Sequence, residues 1–220
     1  MALRFVILAS LATCIAGQAP HDVGHYVLNH PSGMQAVVHH HVEPVQYVYP
    51  VNTPQHMAAM STASASCTLA PSSAEGLVRG LITLHQHHPG ATVLVSGTVE
   101  GLIPGLHGFH LHRDGNTSDG CKAAGPHFNP AANATHGSPS DEVRHAGDFG
   151  NIEADISGQA VVNFASRGIS LTPGAEDSVV GRAFVVHAKA DDLGKGRDAE
   201  SLKTGNAGAR VACCIVTPQQ

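Results

Sequence analysis

The chain has 220 residues and a formal charge of -5, with 12 Lys and Arg against 17 Asp and Glu. That balance lacks the cationic excess that phosphate backbones select, which argues against DNA or RNA as the partner. Charged residues at 13%, aromatics at 4%, no Trp and 24 glycines favour an all-β body with many turns over a helical one.

Residues 1–17, MALRFVILASLATCIAG, carry one early positive charge at Arg4, an apolar run and small residues at Ala16 and Gly17. This is the layout of a secretory signal peptide, and the run is too short for a membrane span of roughly 20 apolar residues. Removing it takes Cys14 and leaves Cys67, Cys121, Cys213 and Cys214, an even number in a chain bound for an oxidising compartment. Disulfides are expected, with three connectivities open. Residues 18–64 show no sustained period and are punctuated by proline, which reads as a poorly ordered extension. Its histidines, His21, His25, His30, His39, His40, His41 and His56, suit either a solvated linker or loose metal binding. The runs VVHHHV and VQYVYPV offer the alternative of paired short strands.

From residue 65 the pattern changes to short alternating or β-branched runs cut by turn residues. Strands are expected over 65–70 (ASCTLA), 76–86, 91–102, 107–113 (HGFHLHR), 148–155, 160–167, 181–189 (GRAFVVHAK) and 209–216 (ARVACCIV). The breaks HPG, IPG, SGQ and PGA are turn chemistry. Two connections, 114–147 and 190–208, are much longer. Eight strands with two long glycine- and Asx-rich loops predict an antiparallel barrel or sandwich over 65–220 whose loops carry function.

The stretch PGLHGFHLH, 104–112, sets His110 and His112 two apart on a strand, so both imidazoles share one face while Leu111 turns to the other. His127, His136 and His145 with Asp148 lie in or at the end of the first long loop, and His187 sits inside the apolar strand AFVVHA. Three histidines and a carboxylate are the ligand types of a closed tetrahedral zinc site. Histidines arriving from strands and leaving an open position suit copper. Zinc has no redox chemistry, so two differently built sites imply a redox metal beside a structural one.

The stretches GLHGFHLH, GNTSDGCKAAGPHFNP, DEVRHAGDFGNI, GRAFVVHAKADDLGKG and KTGNAGARVAC together resemble the copper/zinc superoxide dismutases over about 66–216. The resemblance implies an eight-stranded Greek-key β-barrel and a homodimer. It implies an enzyme that turns superoxide into dioxygen and hydrogen peroxide by alternate reduction and reoxidation of copper. Copper would be held by His110, His112, His127 and His187, and zinc by His127, His136, His145 and Asp148, with His127 shared. Asp191 would bond the outer ring nitrogens of His110 and His136. Arg210, with Lys203 and Thr204, would line the copper channel and draw in the anion. The resemblance also implies a Cys121–Cys213 disulfide.

Cys213 and Cys214 are adjacent on a strand, so their side chains face opposite ways. If Cys213 points outward, Cys214 points inward, where it either bridges Cys67 on the first strand or remains, like Cys67, a buried free thiol. The chain departs from the family pattern in three places. One extra residue lies between His127 and His136, expected as a surface bulge at 131–135. Asp114 stands where an aromatic is common, and Ala199 where an acid often precedes Glu200. Asn116 and Asn133 head glycosylation sequons, and Asn133 is expected to be the more available, because Asn116 maps to the loop that usually packs at the family's dimer interface.

Overall fold

The computed structural model describes residues 62–219 except 133, and the backbone of three short strands nearer the N-terminus. Residues 1–17, the seven histidines of the extension and Asn133 lie outside the described residues. The chain divides into two compact units, Met1–Ala58 and Ala59–Gln220. In the first, β1 (Tyr26–Asn29), β2 (Gln35–Val38) and β3 (Gln46–Val48) pair antiparallel in the order β1-β2-β3.

The second unit holds β4 (Ala63–Pro71), β5 (Arg79–Gln86), β6 (Val93–Glu100), β7 (Gly105–His112), β8 (Asp148–Ala154), β9 (Ala160–Ser166), β10 (Ala183–His187), β11 (Arg210–Ile215) and β12 (Thr217–Pro218). Their order is β11-β10-β7-β8-β9-β6-β5-β4-β12, and a further β11–β4 pairing closes strands β4 to β11 into an eight-stranded antiparallel barrel. β6 pairs with β9 and β7 with β10, which are Greek-key rather than hairpin neighbours. Alternation decides the inside: Ile82, Leu84, Val93, Val95, Val99, Phe109, Leu111 and Phe184 are fully buried, and Phe109 stacks on Phe184 with ring centroids 5.0 Å apart.

Each expected strand is present, with altered ends. The run 76–86 begins pairing only at Arg79, because Gly76 turns back to donate its N–H to Ser73 O. The run 181–189 shortens to Ala183–His187, with a register shift between Val186 and His187. β12 was not expected; Pro218, lacking an N–H, is tolerated there because β12 is the edge of the sheet. Cys67 is joined to Cys214 inside the barrel, with Cα atoms 5.4 Å apart, and Cys121 to Cys213 outside it, at 6.0 Å. Among the described residues, no helix is long and apolar enough to cross a membrane.

Candidate metal centre

β7 carries the first two histidines. Phe109 and Leu111 fill the barrel, so alternation turns His110 and His112 to the outer face. They are nevertheless almost fully buried, because the two long connections cover that face. In register, His110 lies opposite Val185 on β10 and Asp148 on β8, and His187 lies opposite Arg210 on β11. The ladder is irregular at both points, between Gly108 and His110 and between Val186 and His187, as β-bulges that re-aim side chains commonly are. His127 joins through an isolated bridge to His112, and its neighbour Phe128 donates its N–H to Leu111 O at 2.8 Å.

Outer hydrogen bonds determine which ring atoms remain free. His112 donates Nδ1–H to Gly125 O at 2.8 Å, and His187 donates Nδ1–H to Gly208 O at 3.1 Å. A carbonyl can only accept, so both Nε2 atoms carry lone pairs, and these face each other at 3.4 Å. His110 Nε2 is 2.8 Å from Asp191 Oδ2, which leaves its Nδ1 buried without a partner; His127 Nε2 is likewise buried and unpartnered. Four nitrogen lone pairs converging without a proton between them are unfavourable unless a cation sits among them. Their donor atoms lie within 4.8 Å of one another.

A second group converges on one oxygen. Asp148 Oδ2 accepts the backbone N–H groups of His145, at 2.8 Å, and Gly137, at 3.1 Å. Its Oδ1 lies 2.8, 2.9 and 3.1 Å from Nδ1 of His127, His136 and His145. The His136 contact is close but is not a hydrogen bond, and that Nδ1 has no other partner. Four donors so spaced match a tetrahedral zinc ion, whose metal–ligand bonds of about 2.0–2.2 Å set ligand–ligand edges near 3.3 Å. His127 belongs to both groups, with Nδ1 toward Asp148 and Nε2 toward His110, His112 and His187. The extra residue before His136 is taken up by an exposed turn in which Ala132 N bonds Asn129 O and Ala132 has φ 61°.

Asp191 ties the groups together, with Oδ2 on His110 Nε2 and Oδ1 on His136 Nε2, each at 2.8 Å. Two supports of Asp191 escaped sequence reasoning. Asn151 on β8 accepts Asp191 N–H at 2.7 Å and donates to Asp191 O at 2.9 Å. Gly205, at φ 67°, packs where a Cβ would overlap Asp191 Oδ1 and His136 Nε2. The asparagine in GNI and the glycine in KTGN carry no chemistry that marks them beforehand; only the fold brings them to Asp191.

A cavity of about 420 Å³ opens onto the first group, lined by His112, His127, His187, Lys189, Thr204 and Arg210 among others. Arg210 donates from Nη1 to Cys121 O at 2.7 Å and Lys122 O at 3.2 Å, and from Nη2 to Gly125 O at 2.6 Å. Gly125 O thus receives both Arg210 and His112. Thr204 lines the cavity as expected, but Lys203 does not: on the short helix Ser201–Thr204, turning Thr204 inward aims its neighbour at solvent. Lys189, just beyond β10, supplies the lysine of the wall instead.

Charge follows from burial and partners. Burial lowers the pKa of His110 and pulls His112 and His187 well below the ordinary histidine value; burial and the neighbouring His110 bring His127 to about 3. These four rings are neutral donors at physiological pH. Burial would raise Asp148 and Asp191, but hydrogen bonds from the surrounding rings outweigh it and hold both carboxylates far below their usual range. Burial opposes a charged His136 too, yet Asp148 and Asp191 together push it up to about 9, so a proton competes with any cation for that place.

The donor sets fit a nitrogen-rich copper site with an open side and a closed His₃Asp zinc site. The family model for copper/zinc superoxide dismutase (SODC) matches residues 78–216. Superoxide dismutase [Cu-Zn] of Onchocerca volvulus is 55% identical over 142 residues, 63% of this chain and 88% of that protein. Superoxide dismutase [Cu-Zn] A of Xenopus laevis is 51% identical over 152 residues, 69% of this chain and 95% of that protein. Extracellular superoxide dismutase [Cu-Zn] of Brugia pahangi is 49% identical over 137 residues, 61% and 67% of the respective chains. With the barrel and two adjoining donor sets in place, and a family match across most of the barrel, the chain belongs to the copper/zinc superoxide dismutase family.

Proposed function

We propose that this chain is a secreted superoxide dismutase in which His110, His112, His127 and His187 hold copper and His127, His136, His145 and Asp148 hold zinc. The observation that carries the reading is His127, whose two ring nitrogens face the two donor sets. Copper supplies alternating one-electron oxidation and reduction, and zinc a fixed positive charge without redox chemistry of its own. The overall reaction takes two superoxide anions and two protons to dioxygen and hydrogen peroxide.

The chain's own residues recruit, place and protonate the anion. Arg210 commits three of its five N–H donors to carbonyls, which fixes the guanidinium plane at the cavity wall and leaves two donors for an oxyanion. Lys189 adds positive charge at the same wall, and Thr204, bonded to the Glu200 carboxylate at 2.9 Å, narrows the opening. His127 Nε2, buried, unpartnered and turned toward the cavity side, would take up and hand on the proton that peroxide formation requires. Asp191 keeps His110 and His136 in one tautomer and one orientation.

Secretion is supported by two disulfides, by the apolar leader of residues 1–17 and by the relative named as extracellular. Residues 65–220 form the enzyme domain in this reading. The test is superoxide decay followed in purified protein of known copper and zinc content, beside Arg210→Glu. A copper-loaded variant as fast as wild type at low ionic strength removes Arg210 from the anion's path. Recovery of the chain from culture medium, beginning after residue 17, tests the leader.

A further inference from the structure

The end of β5 and the turn into β6 carry His85-Gln86-His87-His88, three histidines that belong to neither donor set. Alternation runs one residue past the strand: Leu84 and Gln86 are buried, and His85 and His87 are exposed. The two imidazoles therefore stand side by side on the outer face, a spacing from which two ring nitrogens can reach one ion. Gln86 between them is fixed at both ends of its amide, donating from Nε2 to Ala91 O at 2.8 Å and accepting the Leu171 N–H on Oε1 at 2.8 Å. Ala91 N–H in turn bonds His88 O at 2.9 Å and closes the turn. His85 Nδ1 lies 2.9 Å from the hydroxyl of Ser64, its partner on β4; a hydroxyl can accept from that nitrogen, and Nε2 then carries the lone pair. His88 donates Nδ1–H to Pro89 O at 3.0 Å, whereas His87 makes no hydrogen bond among the described residues. β5 stands four strands from β7 in either direction round the barrel, which sets this turn on the opposite side from the Asp114–Asn116 loop that usually packs at the family's dimer interface. None of the three histidines lines the cavity at the metal centre.

We propose that His85 and His87 form a further metal site, on the barrel surface, for a nitrogen-preferring divalent transition-metal ion such as Cu(II), Ni(II) or Zn(II). Each ring gives one lone pair, water completes the shell, and no redox change occurs. Binding breaks no contact of the fold: Gln86 stays inward on its two backbone partners, and the Ser64 hydroxyl stays on His85 Nδ1 as the outer partner that orients the ring. The donors of the two buried sets already converge, whereas these two rings meet by rotation of exposed side chains. Two protein ligands in place of four therefore hold the ion more weakly than either centre does and leave it in exchange with solvent. His88, tied to Pro89 O, is not a ligand.

The full chain, loaded with copper and zinc, is dialysed against micromolar nickel(II) chloride, and nickel is measured per chain in wild type, in His85→Ala/His87→Ala and in His88→Ala. The histidines of residues 18–64 are common to all three proteins, so the difference between them is what is read. The expected result is a loss of one nickel ion per chain in the double variant, full nickel in His88→Ala, and dismutation unchanged in both. Histidine carbethoxylation of wild type, located residue by residue by mass spectrometry, should slow at His85 and His87 when nickel is present. Equal nickel in wild type and the double variant overturns the proposal, as does modification of His85 and His87 at the same rate with and without nickel. A loss in His88→Ala as large as in the double variant overturns the strand pair as the site.

Discussion

Removing the Cys67–Cys214 bond should cost the barrel a large part of its stability without touching either donor set. The bond joins the first and last strands of the barrel across a short seam: β11 and β4 share only the pairs Ala212 with Pro71 and Cys213 with Ala70, whereas β5 and β6 pair from Arg79–Glu100 to Gln86–Val93. Its sequence separation is 147 residues, for which chain entropy alone gives about 5 kcal/mol. Cys121–Cys213 shortens the covalent path between the same ends to about 55 residues, and the stabilisation with that bond intact falls to about 4 kcal/mol. For a domain of this size each kcal/mol moves the midpoint by roughly 2–4 °C, so Cys67→Ala/Cys214→Ala should melt about 8–16 °C lower than wild type. Calorimetry on the metal-free, otherwise oxidised protein measures the shift, and amide exchange should show β4 and β11 opening first. A shift under about 2 °C would refute the entropic reasoning and leave the seam held by packing alone.

Asn151→Ala should weaken zinc binding by about 10–100-fold through misplacement of Asp191, read by chelator competition, with the fold intact by circular dichroism. Gly205→Ala should do the same by pressing on the Asp191–His136 hydrogen bond; unchanged zinc affinity in both would leave Asp191 held by its own contacts. The metal-free protein should lose stability as pH falls from 7.5 to 5. His110, His112, His127 and His187 have folded pKa values below the ordinary 6.5, His127 at about 3, so the unfolded chain takes up protons first. His136, at about 9, acts in the opposite sense, its contribution being full below 6.5 and lost as pH rises through 9; one ring does not offset four. A higher melting point at pH 5 would reverse that balance.

The barrel was legible because alternation is a local signal: the inward Phe109 and Leu111 already place His110 and His112 on the opposite face. The ends of strands were less so, since Gly76 leaves the ladder through a turn that depends on Ser73, and β12 exists only because β4 offers an edge. The metal donors could be named from residue type and spacing, but their free atoms could not, because the tautomers of His112 and His187 are set by the carbonyls of Gly125 and Gly208. Lys203 was expected at the channel and Lys189 was not; the phase of a one-turn helix leaves no periodic trace in sequence. Asn151 and Gly205 act on Asp191 through the backbone and through absence of a side chain, neither of which residue type reveals.

The two-metal assignment is tested most directly by His187→Ala, prepared beside wild type, with copper and zinc measured per chain and superoxide decay followed by rapid mixing. His187 belongs to the cavity-side donor set alone, with its Nε2 facing His112 and no atom in the Asp148 group. The predicted result is a folded variant that keeps its zinc and loses dismutation. A copper-loaded variant that turns superoxide over within a few fold of wild type would contradict the assignment.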